Sequence, residues 1–217
     1  EQNVESEDGN NVYLTIDETI QSICEKYMQK GVEDNNVLNK GVCIAMDVNT
    51  GAILAMVTTD GYDLNNPYEL SAKDKKKIKS TAKSKQAEAE SAALSNMWRN
   101  KAVADTYMPG SVFKMCVASA ALEENLVNEK TSFTCTGSIE VEGETIHCSN
   151  IAGHGTQNFV EVISNSCNPA FIQIGQMLGA GKFRQYYQGF GFSDKTGIDL
   201  PGEAEDSFWK EGKMGGV

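Results

Sequence analysis

A chain of 217 residues with 40% hydrophobic content is long enough for one sizeable folded domain with its own core. Its net charge of −11 argues against nucleic acid as a partner, because binding would bring two polyanions together. No apolar run approaches the ~18 residues needed to span a bilayer, and no signal-peptide pattern opens the chain.

Residues 1–11 read as a polar, acidic tail, either cut from a longer chain or following a flexible segment. The stretch NVYLTIDETIQSICEKYMQK is expected to begin as a short strand and to turn helical at Asp17, a good N-cap. Ile16, Ile20, Ile23, Cys24, Tyr27 and Met28 recur at helical spacing and form an apolar stripe. In GVCIAMDVNTGAILAMVTT, two runs of strand formers flank Asn49-Thr50-Gly51, which predicts a tight hairpin. Both arms are nearly all apolar, so their sheet is expected to be covered on both faces. The loop DGYDLNNPYEL leads into a lysine-rich insert over residues 71–95. Its block KDKKKIKSTAKSK reads as a solvated, partly helical surface segment, with an anionic wall polymer or lipid surface as the alternative partner. After Pro109-Gly110 the pattern is helical again, and SIEVEGETIHC predicts a hairpin turning at Glu142-Gly143. Helices are expected over 159–166 and 169–178, the second opening on Pro169. With no internal repeat, helix, hairpin and helix in succession indicate an α+β layout.

The chemistry concentrates in YMPGSVFK, where Ser111 and Lys114 stand three apart at the start of an expected helix, on one face. A serine hydroxyl is a weak nucleophile until an adjacent base takes its proton. Lysine can be that base when burial or neighbouring positive charge depresses its pKa. A bare S-x-x-K also occurs by chance in many helices, so its neighbours decide its weight.

Those neighbours resemble the class B penicillin-binding proteins, the monofunctional D,D-transpeptidases of peptidoglycan synthesis, whose motifs are S-x-x-K, S-x-N and K-T-G. The likeness runs through LTIDETIQ, GVCIAMDVNTGAILAMV, YDLNNP, NKAVADTYMPGSVFK, SCN and GFSDKTGIDLPGE, most of the chain apart from the tail and the insert. It implies a serine penicillin-binding/β-lactamase-like fold, an antiparallel sheet with helices on both faces. Ser111 would be the acylated nucleophile and Lys114 its general base. Ser166 would relay protons near Lys114 and the leaving group, and Asn168 would hold the substrate's peptide carbonyl and steady Lys114. The Ser111 backbone N–H would be one oxyanion-hole donor. Lys195-Thr196-Gly197 is only 27 residues past Asn168 and is followed by IDLPGE, so it matches a structural turn of the family instead of the third motif. The third motif is therefore expected beyond Val217, with residues 12–217 forming an incomplete transpeptidase domain. Implied partners are peptidoglycan stem peptides, β-lactam antibiotics and a membrane glycosyltransferase. The implied location is the extracytoplasmic face of the cell membrane, anchored by an N-terminal transmembrane helix outside this chain. A β-lactamase or β-lactam sensor of the same fold is the alternative, and so is a zinc-stapled scaffold without catalysis.

Cys135, Cys148, His154 and Cys167 are separated by 12, 5 and 12 residues. Three thiolates and one imidazole make a closed tetrahedral set that suits structural Zn²⁺. A Cys135–Cys148 disulfide and buried free thiols are the competing readings; a disulfide leaves Cys167 and His154 without a role. The resemblance adds that some elongation-type members hold zinc at positions matching His154 and the cysteine within S-C-N. His147 is the competing histidine, expected to point away on a strand. Cys24, Cys43 and Cys116 read as core.

Overall fold

The computed structural model describes residues 9–37, 41–59 and 61–205, and its chain divides into units 1–105 and 106–217. The N-terminal tail falls outside the described residues up to residue 8, and so does everything after residue 205.

In the first unit, Asp17 caps helix α1 (Glu18–Asp34), its carboxylate accepting the Ile20 N–H at 2.9 Å. The strand expected before α1 does not form. Thr15 Oγ1 donates to Ile53 O and the Asp17 N–H to Leu54 O, so a single backbone bond stands where a ladder would need several. Strands β1 (Val42–Met46) and β2 (Ile53–Thr58) pair antiparallel, with Cys43 opposite Val57 and Ala45 opposite Ala55. Their connecting turn closes on Gly51, whose φ of 74° is available to glycine without strain. Helix α1 packs on this pair and is locked by Gln21, which accepts the Met56 N–H at 2.9 Å and donates to the Met56 carbonyl at 3.2 Å. The apolar stripe of α1 is less covered than its spacing suggests: Ile23 is 51% and Tyr27 63% exposed. Cys24 and Cys43 are half-buried, and burial together with the neighbouring Cys24 thiol pushes the Cys43 thiol up.

The lysine-rich insert folds into helices α2 (Ala72–Lys79) and α3 (Gln86–Trp98), and neither buries a residue. Trp98 ties the end of α3 back through Nε1–H to the Pro67 carbonyl at 2.6 Å. The short α4 (Lys101–Ala104) follows and packs against both strands, with Asn100 Nδ2 3.4 Å from Met56 Sδ. One turn of helix is too little to roof a strand pair, so Val42, Ile44 and Met46 stay exposed and the second face is only partly covered.

The second unit opens with a 3₁₀ turn (Gly110–Phe113) that runs into α5 (Lys114–Glu123). Strand β3 (Ser132–Cys135) waits for a distant partner while β4 (Ser138–Val141) and β5 (Glu144–His147) form the expected hairpin. Its turn residues Glu142 and Gly143 have φ of 50° and 87°, the doubly positive geometry that matches strand twist. Strand β6 (Gly155–Asn158) then pairs antiparallel with β3. Asn158 and Glu161 form a reciprocal capping box at the start of α6 (Phe159–Ser164). Helix α7 (Asn168–Gly189) carries Pro169 in its first turn and breaks at Gly179 (φ 72°, ψ 160°), which explains why the helical pattern ends near residue 178. Helix α5 packs along α7, and Ala121, Phe133, Phe159, Val162, Ala170 and Ile174 form the centre of one core with Cys135, Cys148 and Cys167 inside it.

Candidate active site and metal cluster

Ser111 lies in the 3₁₀ turn and Lys114 is the first residue of α5. At 3.0 residues per turn, positions three apart eclipse, so the turn aligns this pair more closely than an α-helix does. Lys114 Nζ donates to Ser166 O at 2.7 Å, to Ser166 Oγ at 3.0 Å and to Asn168 Oδ1 at 2.6 Å. The same ammonium stands 5.3 Å from the centre of the Phe171 ring. Burial pushes Lys114 below the ordinary lysine value, against the opposing pull of the Cys167 and Cys148 thiols. The structure thus gathers Lys114, Ser166 and Asn168. Ser111 stands one turn away and exposed, and among the described residues its hydroxyl makes no hydrogen bond. Catalytic hydrogen bonds are often long or absent before substrate arrives.

The S-x-N segment is shaped by the end of α6. The Ser166 N–H donates to Ile163 O at 3.0 Å and the Cys167 N–H to Val162 O at 3.2 Å, the paired bonds of a Schellman cap. Glycine normally occupies the left-handed position of that cap. Here Ser166 does, with φ of 48°. A non-glycine residue in this region stores strain, a recurrent property of functional positions. Asn168 begins α7, and its amide is divided between two partners: Oδ1 accepts from Lys114, and Nδ2 donates to the His147 carbonyl at 2.9 Å. The His147 contact has no signal in the sequence, because a backbone carbonyl can belong to any residue type.

The ligand atoms of Cys135, Cys148, His154 and Cys167 all lie within 4.8 Å of one another. Cys135 ends β3 opposite Gly155, Cys148 follows β5, His154 precedes β6, and Cys167 caps α7. Two glycines let the intervening loops close. A Cβ on Gly137 (φ 99°) would run into the Ile151 carbonyl, and one on Gly153 (φ 83°) into the Cys135 carbonyl. All six cysteines are free thiols. Burial opposes ionisation of Cys148, but the Asn150 and Asn168 N–H groups together with the neighbouring Cys135 and Cys167 thiols outweigh it and hold this thiol below its ordinary value. Burial prevails at Cys167, pushing it up despite donors from the Ala170 N–H and the Gln157 side chain. Cys148 Sγ lies 3.5 Å from His154 Nδ1. Sulfurs ringed by N–H donors are suited to carry negative charge, so the donor set fits a thiolate-bound divalent cation. His147 is exposed on β5 and outside the cluster.

Lys195-Thr196-Gly197 lies in no strand. Glu203 accepts from the Thr196 N–H at 2.7 Å and from Thr196 Oγ1 at 2.6 Å, and Gly197 has φ of 77°. Those bonds describe a closed local turn.

A model of the penicillin-binding protein transpeptidase domain matches residues 41–215. Stage V sporulation protein D of Bacillus subtilis is 34% identical over 211 residues, which cover 97% of this chain and 29% of that protein. The peptidoglycan D,D-transpeptidase MrdA of Acinetobacter baumannii is 26% identical over 209 residues, covering 93% of this chain and 28% of the relative. The D,D-transpeptidase domain of a peptidoglycan glycosyltransferase from Eggerthella lenta superposes with a TM-score of 0.57 at 29% identity, over 77% of this chain and 37% of that one. A peptidoglycan glycosyltransferase from Burkholderia ambifaria shares the fold with a TM-score of 0.68 at 23% identity, over 91% and 51% of the two chains. This chain therefore spans less than a third of the length of those two curated relatives. With motif order, fold and matched span in agreement, the chain belongs to the penicillin-binding protein transpeptidase domain family.

Proposed function

We propose that the protein carrying this chain is a peptidoglycan D,D-transpeptidase that cross-links stem peptides through an acyl-enzyme on Ser111, and that β-lactams acylate the same serine. The observation that carries this reading is the Lys114 amine, held by Ser166 and Asn168 and pushed by burial toward its neutral form. Only the neutral amine can accept the Ser111 proton. As Oγ bonds to the penultimate D-alanine carbonyl carbon, the C–N bond to the terminal D-alanine breaks. The departing amine takes a proton through Ser166. A second stem's amine then attacks the ester, forms the cross-link and returns the proton to Ser111. The Ser111 backbone N–H supports the developing oxyanion.

Cys135, Cys148, His154 and Cys167 would hold a structural Zn²⁺, supported by the convergence of their donor atoms and the N–H groups aimed at the sulfurs. Four protein donors leave no open position, so the ion would brace the loops and activate no water. The reading also places the protein at the extracytoplasmic membrane face beside a membrane glycosyltransferase, anchored by a helix outside this chain. No helix of the described residues is long and apolar enough to cross a membrane.

Intact-mass measurement of the full-length protein after benzylpenicillin treatment should show a covalent adduct that Ser111→Ala abolishes. An adduct surviving in the alanine variant would refute the assignment.

A further inference from the structure

We propose that Gln157 is a positioning residue of the metal site, its side-chain N–H donating to the Cys167 sulfur and holding it toward the ion as a thiolate. The inference rests on the structural-zinc reading above. Gln157 sits on β6 opposite Phe133, in the interior of the second unit, and is only 3% exposed. One end of its amide is fixed, because Oε1 accepts from Asn165 Nδ2 at 2.9 Å. That bond turns Nε2 the other way, where the atom is buried with no partner meeting full hydrogen-bond geometry among the described residues. A buried donor left unpaired forfeits its hydration without return, so such groups are rare and call for a reason. The group beside it is the sulfur of Cys167, itself 0% exposed.

A neutral thiol is a weak acceptor and cannot satisfy an amide donor well. A thiolate can. The N–H beside this sulfur therefore gains a full acceptor when Cys167 binds a cation as a thiolate. Zinc with three thiolates and an imidazole carries a net negative charge inside an apolar core, and each N–H aimed at a sulfur offsets part of it. Cys148 receives two such donors from the backbone, Asn150 and Asn168. Cys167 receives one from the backbone, Ala170, and the second comes from Gln157. Reversing the amide would aim a carbonyl lone pair at the thiolate, so a charged sulfur selects the orientation described. Asn165, Gln157 and Cys167 thus form one chain of contacts alongside Ser166.

Cobalt(II) substitution and zinc competition against a chromophoric chelator, on the purified full chain, separate the outcomes. Gln157→Leu removes the donor at similar volume, and Gln157→Glu puts a carboxylate against the thiolate. The leucine variant should bind zinc about 10- to 100-fold more weakly, the usual cost of losing an outer partner of a ligand, and the glutamate variant more weakly still. In the cobalt form, the sulfur-to-metal charge-transfer band of the leucine variant should move to lower energy, because a thiolate without its hydrogen bond is a stronger electron donor. The band is read only from molecules that bind, so partial misfolding does not obscure it. A leucine variant with wild-type affinity and an unmoved band overturns the role of Gln157 alone. A wild-type chain that binds neither ion overturns the zinc reading, and this inference with it.

Discussion

Ser166 is asked to do two things that conflict, and parallel substitution by glycine and alanine separates them. Its φ of 48° is in the left-handed region, while its hydroxyl lies 3.0 Å from Lys114 Nζ. Both variants lose the hydroxyl equally. Alanine keeps the Cβ, which costs roughly 1–2 kcal/mol in left-handed backbone. Glycine escapes that cost but enlarges the unfolded ensemble, returning about 0.4–1 kcal/mol. The glycine variant should therefore be the more stable by about 1 kcal/mol, which for a chain of this size is roughly 2–4 °C in Tm. Acylation should fail in both, by about 100-fold or more, since a positioned proton carrier contributes on that order. Calorimetry of the pair and the rate of benzylpenicillin adduct formation in the full-length protein read the two quantities separately. Coincident melting of the two variants would refute the strain argument. A glycine variant acylated within a few-fold of wild type would refute the proton-relay role.

Acylation should rise with pH as Lys114 loses its proton, because the neutral amine is the active form, and burial sets that limb below the ordinary lysine value of about 10.4. A limb at or above that value would contradict the geometry. Asn158→Ala removes one half of the capping box of α6 and should cost about 1 kcal/mol, visible as a lower Tm, with the acylation rate of the folded fraction unchanged. Elemental analysis should find close to one zinc per molecule, and chelation or Cys135→Ser should lower both Tm and the acylation rate. A displacement of about 1 Å at Ser166 or Asn168 is enough for roughly 100-fold. Zinc lost with acylation intact would reduce the ion to a staple for the fold.

Local signals in the sequence translated directly where chemistry is local. Asp17 as a cap, the hairpin at Glu142-Gly143 and the helical insert all follow from one residue's neighbours. The strand before α1 did not form because apolar alternation at residues 12–16 says nothing of whether a partner strand is in reach. Ile23 and Tyr27 are similar: their spacing marks a face, but the cover that face receives is tertiary. At the site, ordered motifs named residues that the structure gathers: Lys114 with Ser166 and Asn168, and the three cysteines with His154. The left-handed Ser166, the His147 carbonyl contact and the buried Gln157 Nε2 were not, since each is defined by backbone conformation or by its surroundings.

The proposed catalytic residues and the cysteine–histidine cluster share one stretch of backbone, and this limits how either can vary. Cys167 lies between Ser166 and Asn168, and Asn168 is held to the end of β5 by its Nδ2 on the His147 carbonyl, while its N–H helps to lower the Cys148 thiol. A strained serine persists only where its surroundings over-determine it. Here the surroundings are the Schellman bonds of α6 on one side and the buried cysteine cluster on the other. Lys114 adds three hydrogen bonds, but from a long side chain that can follow the atoms it binds. The placement of Ser166 and Asn168 is therefore set by the core of the second unit, and Lys114 takes its position from them. A change in the cluster should therefore reach Lys114 through Ser166 and Asn168. The coupling also runs the other way, because Lys114 bonds both neighbours of Cys167 and interacts electrostatically with the Cys167 and Cys148 sulfurs.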